Sequence, residues 1–367
     1  MEITAAVLTA PKEAFDVRKV DLDTAIRPDE ILVKVVATGL CHTDLTMRAG
    51  NLPIAMPVIL GHEGAGIVEQ IGSAVTKVKL GDHVILAPAS CGKCSYCESG
   101  HPSYCEKFYP LNFGGHRLDG SCPHHDHSGE AISGMFFGQS SFANYALTYE
   151  NNVVKVQDDV PLELLGPLGC GIQTGAGAVL NVLKPSAGQS IVISGVGPVG
   201  TAAIMAAKVA GLTTIIAVDV HENRLELARE LGATHTINSK DAIISEEVNR
   251  IIPGGTHYAV DTTARNEVIN QMVGSMRYLG RCVTLGIGPS PKMEIDNLNL
   301  MFGRSVQNVL EGDSVPDIFI PQLISLYKQG LFPFDKLIKF YDLQDINQAV
   351  EDSEKGVTLK AVLRMPN

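Results

Sequence analysis

The chain has 367 residues, 45% of them hydrophobic, and a formal net charge of −11. It shows no Lys/Arg block of the kind that binds nucleic acid, and no apolar run approaches the length of a membrane span. Its eight cysteines are too sparse for a disulfide scaffold, so a soluble, cytoplasmic, two-domain protein is expected, with its clustered cysteines on metal or in catalysis.

The opening MEITAAVLTAPKEAFDV has neither a basic start nor an apolar core, so a secretory signal is not expected. Apolar strands punctuated by Gly, Pro and Asp, such as EILVKVVATG and DHVILAP, fill residues 1–90 and predict a β-rich, barrel-like domain. Within it stand GLCHTDLTMRAG and LGHEGAGIVEQIGSAV, and LLGPLGCGIQTGAGAV follows far downstream. Cys41, His62 and Cys170 make a set of two thiolates and one imidazole, the donor type of a catalytic zinc that keeps a fourth position for water or substrate. Two thiolates and a neutral imidazole cancel the charge of Zn2+, and an alcohol at such a site ionises near neutral pH.

CGKCSYCESGHPSYC places Cys91, Cys94, Cys97 and Cys105 at spacings of three, three and eight. Two residues between ligands let a tight turn aim both sulfurs at one ion, and four thiolates close a tetrahedron, so this zinc is expected to be structural. An iron–sulfur cluster or unrelated surface thiols are the other readings. The next stretch, PLNFGGHRLDGSCPHHDHSGEAISG, reads as a solvated loop, with His124, His125 and His127 part of it and not a third metal site. Cys122 and Cys282 have no evident role.

From about residue 172 to 310, strands alternate with helical stretches, which predicts a parallel sheet covered on both faces. A β-branched strand leads into Gly195-Val196-Gly197-Pro198-Val199-Gly200, a GxGxxG turn opening a helix. Gly195, Gly197 and Gly200 permit the turn, the approach of a pyrophosphate and close helix packing. Asp219 ends the next strand, about twenty residues on, where an acid bonds the ribose hydroxyls and repels a 2′-phosphate; NAD is therefore expected over NADP. The tail, with FIPQLISLYKQG, DINQAVEDSEKG and LKAVLRM, returns to helix and strand. The chain carries no internal repeat and no low-complexity linker.

GHEGAGIVEQIG, the four-cysteine lobe, CGIQTGAGA, the glycine turn and the terminal KGVTLKAVLRM together make the chain resemble the zinc-dependent medium-chain alcohol dehydrogenases along nearly all its length. MFFGQSSFANYAL with LLGPLGCGIQTGAGA looks most like the aryl (benzyl) alcohol dehydrogenase branch. The resemblance implies an α/β chain: a GroES-like barrel catalytic domain of residues 1–171 and 311–367, a doubly wound Rossmann domain of residues 172–310, and a cleft between them. It implies two zincs, the catalytic one at Cys41, His62 and Cys170 and the structural one at the four-cysteine lobe.

The same resemblance gives roles to single residues. Glu63 matches a transient metal ligand and Asp44 a carboxylate that orients the ligating imidazole, although an acid there also suits a helix start. Thr43 matches the hydroxyl that accepts the substrate proton. Many members end the proton relay with a histidine where this chain has Thr46, so His42 is open to two roles: contact with the cofactor pyrophosphate or the end of the relay; it is otherwise a plain loop residue. Arg224 flanks the ribose, while Val199 and Thr174 crowd the nicotinamide, Val199 also serving helix–sheet packing. Phe136 and Phe137 match walls of the substrate pocket, and Ala87 matches a wall position often held by a ring.

The implied reaction is alcohol + NAD+ ⇌ aldehyde + NADH + H+, with an aromatic primary alcohol as substrate and a homo-oligomer, dimer or tetramer, as the assembly. A glutathione-dependent formaldehyde dehydrogenase is the rival enzyme; it needs a basic anchor for the glutathione carboxylates, and Arg117 is the one obvious candidate in the loop. A catalytically silent dinucleotide-binding sensor would have no use for a complete set of two cysteines and a histidine with Thr43.

Overall fold

Strand Glu30–Gly39 organises the first half of the chain. Its sequence, EILVKVVATG, is β-branched and apolar almost throughout, and it is buried along nearly its whole length. It pairs antiparallel with Gly64–Ile71, Tyr145–Tyr149 and the C-terminal strand Lys360–Arg364, the last in a register that sets Val362 opposite Gly39. These strands belong to a seven-stranded sheet, and a five-stranded sheet built on Glu2–Leu8 and Asp16–Leu22 accompanies it. The computed structural model describes residues 1–51, 54–286, 288, 290 and 292–366.

One part of the histidine-loop expectation needs correction. His124 and His125 form a short strand that pairs with both Asp16–Leu22 and Ala131–Ile132, which carries His124 into the interior, fully buried. Neither of its ring nitrogens has a hydrogen-bond partner, and burial, with Arg117 next, holds its pKa down at about 4. It is a neutral core side chain. His127 is exposed and sits 3.2 Å from Asp21. The Cys122 thiol donates to the Ile132 carbonyl at 2.8 Å, and Cys282 is buried in an apolar cluster.

Six parallel strands form the other sheet, in the spatial order His235–Asn238, Thr214–Asp219, Ser190–Ser194, Thr256–Asp261, Met276–Thr284 and Ser305–Asn308. The order reverses direction at Ser190–Ser194, the switch point of a Rossmann sheet. The α/β class, with a GroES-like barrel and a doubly wound parallel sheet, is as the sequence predicts. Two compact units divide the chain, Met1–Cys170 with Val315–Gln322 and Asp335–Asn367, and Gly171–Ser314 with Leu323–Phe334. Gly171 and residues 311–314 and 323–334, expected with the first domain, fall in the second unit. Among the described residues, no helix is long and apolar enough to cross a membrane.

Candidate active site

Cys41 immediately precedes helix His42–Arg48, and Asp44 sits three residues in. The Asp44 carboxylate is fully buried. One oxygen accepts from the Cys41 N–H at 2.9 Å; the other lies 3.0 Å from His62 Nδ1 and accepts from the Gly61 N–H at 3.1 Å. Asp44 thus caps the helix and orients the imidazole at once. With Nδ1 committed to a carboxylate, the free electron pair of His62 is on Nε2, which is buried without a hydrogen-bond partner. Donor atoms of Cys41, His62, Glu63 and Cys170 all lie within 4.8 Å of one another. Hydrogen bonding with Cys170 draws the Cys41 thiol well below its usual pKa; burial opposes this, and His62 and Lys360 assist it. An orphaned imidazole nitrogen facing two sulfurs is a site that fits a zinc ion.

The cysteine lobe is a second, separate group. Its four sulfurs also lie within 4.8 Å of one another, and backbone N–H groups of Cys91 and Lys107 point at Cys105 Sγ at 3.2 and 3.4 Å. Bonds from the Cys97 and Glu106 backbone pull Cys94 down to about 6, while burial pushes Cys105 up to about 12. All four ionise together only around a cation. No carboxylate or water-sized opening is needed to complete a tetrahedron of four thiolates, so this group fits a closed, structural zinc.

In the Rossmann unit, Gly195 leaves strand Ser190–Ser194 at φ +81°, and a Cβ there would come within 2.4 Å of Thr262 Oγ1. Only glycine satisfies both demands. Pro198 starts helix Pro198–Val209 behind Gly197, where a Cβ would meet nothing and the turn lies open. The Asp219 carboxylate accepts from the Val196 N–H at 2.7 Å and the His221 N–H at 2.9 Å, with Arg224 at 3.8 Å. It therefore sits directly beneath the glycine turn. Thr174 donates to Glu311 at 3.3 Å.

Residues 27–158 match the alcohol dehydrogenase GroES-like domain family, and residues 198–328 match the zinc-binding dehydrogenase family. Over 340 residues the chain is 42% identical to the geraniol dehydrogenase of Castellaniella defragrans, covering 91% of this chain and 90% of that protein. The chain belongs to the zinc-dependent alcohol dehydrogenases. Its fold superposes on the benzyl alcohol dehydrogenase of Acinetobacter calcoaceticus with a TM-score of 0.96 at 46% identity. An alcohol dehydrogenase zinc-binding domain protein from Burkholderia ambifaria gives 0.97 at 49%, and both comparisons cover 100% of each chain.

Residues of the run MFFGQSSF pack directly against the site. Gln139 accepts from the Gly64 N–H and donates to the His62 carbonyl, both at 3.1 Å, and so fixes the backbone on either side of Glu63. Ser140 donates to the Ile59 carbonyl at 2.6 Å. Phe137 stacks on the His62 ring at 4.5 Å, and Phe136 meets it edge-on at 5.5 Å. Ala87 is buried, and Asn152 connects it to Phe137 by donating to both carbonyls, at 3.4 and 3.2 Å. Gln139 and Asn152 were not foreseen as site residues. For Gln139 the signal available was one amide side chain in the apolar and small-residue run MFFGQSSF; Asn152, beside Glu150 and Asn151, gave none.

Thr43 lies in the first turn of its helix, 3.9 Å from Cys41 Sγ. His42 is exposed, and the Thr46 hydroxyl donates to its carbonyl at 3.0 Å, so Thr46 is spent inside the helix. Arg117 does not offer the anchor that the glutathione-dependent rival requires. It is 3% exposed, bonds Glu30 through Nε at 2.6 Å and Nη2 at 3.1 Å, and meets Asp23 at 3.1 Å. Two carboxylates already neutralise it, which removes the rival's only candidate in the loop.

Proposed function

We propose that this zinc-dependent alcohol dehydrogenase oxidises aromatic primary alcohols to aldehydes, with NAD+ as the hydride acceptor. The observation that carries the substrate class is the aromatic wall against His62, formed by Phe136 and Phe137 with the small Ala87 tied to it through Asn152. A ring packs on ring edges with about 0.5–1.5 kcal/mol beyond simple area burial. The benzyl alcohol and geraniol named for the two relatives share a carbinol next to a π-system, which supports the same reading.

When bound, zinc would supply Lewis acidity to the substrate oxygen, and the nicotinamide would supply the hydride acceptor. Cys41, His62 and Cys170 would hold the metal, and Asp44 keeps His62 in the tautomer that presents Nε2. Thr43 takes the hydroxyl proton from the substrate and passes it on. Val199 and Thr174 are assigned to the nicotinamide side, Gly195, Gly197 and Gly200 to the pyrophosphate, and exposed His42 to the same pyrophosphate. Cys91, Cys94, Cys97 and Cys105 would hold the structural zinc.

Asp219 is assigned to the adenosine ribose. Its two oxygens accept one backbone bond each, and a carboxylate has about four acceptor sites, so capacity for two hydroxyls remains. Asp219→Ser is expected to narrow the NAD/NADP preference in kcat/KM by at least about tenfold, roughly 1.4 kcal/mol. Steady-state rates with both cofactors check this, and an unchanged ratio would show that the acid reads something else.

A homo-oligomer is the proposed assembly. Strand Ser305–Asn308 ends the parallel sheet, and near it Tyr278, Leu279, Met301 and Phe302 are 63%, 78%, 62% and 47% exposed. An unpaired edge with apolar side chains beside it is a surface that a second copy covers. None of the eight cysteines is in a disulfide, and the cytoplasm is the proposed compartment.

The substrate reading is tested by kcat/KM with NAD+ for benzyl alcohol, geraniol and ethanol. Ethanol leaves the walls uncontacted, at about 1 kcal/mol per missing methylene-sized contact, so benzyl alcohol should lead by about a hundredfold or more. Ala87→Phe should erode the benzyl rate more than the ethanol rate. Equal constants for benzyl alcohol and ethanol, or turnover only of formaldehyde with glutathione, would overturn it.

A further inference from the structure

We propose that the end of the parallel sheet opposite the glycine turn carries an anion site, built on Arg277, Arg304 and His257, that takes a phosphate group. The site is separate from alcohol oxidation and does not rest on it. An open cavity of about 590 Å³ lies where strands Thr256–Asp261 and Met276–Thr284 begin. The strands of this sheet are parallel, and the glycine turn leaves the far end of Ser190–Ser194. A strand's length, about 15 Å or more, therefore separates the two places. In a chain of net charge −11, the cavity wall holds two arginines and a histidine and, among the described residues, no Asp or Glu. Arg277 donates through Nη1 to His257 Nε2 at 2.8 Å and keeps four of its five N–H groups. Every acceptor of Arg304 is a backbone carbonyl: Met276 at 2.9 Å from Nε and 2.5 Å from Nη2, Arg277 at 3.4 Å from Nε, and Asn299 at 3.2 Å from Nη1. Two cationic side chains lining one recess without a counter-charge attract an anion.

These groups are held in place before any ligand arrives. An arginine only donates, so His257 Nε2 accepts and the ring proton is on Nδ1, 2.8 Å from Ser190 Oγ. Burial, with Arg277 next, lowers the His257 pKa, in keeping with a neutral ring. Ser190 is buried in its strand, so the sheet anchors Arg277 through the imidazole. Arg304 is pinned by its carbonyls and lies 5.9 Å from the centre of the Tyr278 ring. Part of the wall is bare backbone. Gly254 and Gly255 have φ of +89° and +86°. A Cβ on Gly254 would meet nothing, and one on Gly255 would fall 2.4 Å from the Ser275 carbonyl. A ligand can come close to such a wall. Planar guanidinium forks match the several oxygens of a phosphate dianion, whereas a single carboxylate leaves one cation unanswered. The cavity is larger than one phosphate ion and has room for the organic part of an ester. Of the named groups only Tyr278 also belongs to the apolar patch offered to a second copy.

The test is isothermal titration calorimetry of the full-length protein with inorganic phosphate and with phenyl phosphate, at constant ionic strength. NADH is kept at saturation so that the glycine turn is filled. Phosphate should bind with a Kd of about 1 mM or below. Arg277→Gln, a change at an exposed position that leaves the core intact, should raise this Kd about tenfold or more. Arg250→Gln removes an exposed arginine that pairs with Glu247 outside the cavity wall, and should stay within about twofold of wild type. Alcohol oxidation by Arg277→Gln should also stay within about twofold, since the site is apart from the chemistry. Phenyl phosphate binding at least about threefold tighter than phosphate identifies an ester as the ligand, equal binding identifies free phosphate, and either supports the site. No phosphate binding up to about 20 mM, an Arg277→Gln Kd equal to wild type, or an equal loss in Arg250→Gln would overturn it.

Discussion

Cys170→Ala is expected to stay folded and to lose at least about a thousandfold in kcat/KM for alcohol oxidation. Cys170 is buried at the end of the turn Gly166–Gly169, hydrogen-bonded to Cys41 and within 4.8 Å of the His62 and Glu63 donors. Its removal leaves one thiolate and one imidazole, too few protein donors for a catalytic zinc site. A Lewis acid supplies several kcal/mol of transition-state stabilisation, and each 1.36 kcal/mol is tenfold in rate. The fold is held by other means. The extensive apolar cluster that runs from Ile3 through Val58 and Phe142 to Leu363 does not include Cys170. NADH formation reports the rate, and a circular dichroism melt reports the fold. A variant with wild-type kcat/KM would remove Cys170 from the site.

Cys97→Ala should do the reverse, damaging stability more than chemistry. Around the four-cysteine lobe the apolar cluster has few buried residues, Ala89, Cys105 and Leu111, with Phe108 and Tyr149 partly buried against them. So small a core does not order a loop by itself, and the ion supplies the folding energy. A loss of only about 3 kcal/mol, a fraction of what structural zinc supplies to small domains, lowers the melting temperature by roughly 6–12 °C in a unit of this size. Turnover per folded molecule should stay within about threefold, because none of these sulfurs belongs to the Cys41 group. An unchanged melt would show that the lobe is held without metal.

The clustered metal-donor side chains and the glycine turn were legible in the sequence because their chemistry is local or rare. Cys91 to Cys105 declare themselves by spacing, and Gly195 to Gly200 by their place between a strand and a helix. Cys41, His62 and Cys170 could be gathered by donor type although they are far apart. What the sequence did not disclose depends on register between distant strands. Lys360 reads as one polar residue in LKAVLRM, yet pairing of its strand with Glu30–Gly39 brings it to a carboxylate 297 positions away. A lysine between Leu359 and Ala361, opening a strand that is apolar until Arg364, was the only sign. Arg117 reads as an exposed loop cation and is buried against Glu30, and His124 reads as solvated and is a core residue. In each case a short strand or a long-range ion pair, invisible to local composition, decides the burial.

The central claim, two metal sites of different kinds of which only one drives the chemistry, is tested most directly by counting metal in the purified, active protein and in Cys170→Ala. The account predicts two zinc ions per chain in the former and one in the latter, with turnover lost alongside the missing ion. One zinc per chain in fully active protein, or two zincs retained by an inactive Cys170→Ala, would contradict it.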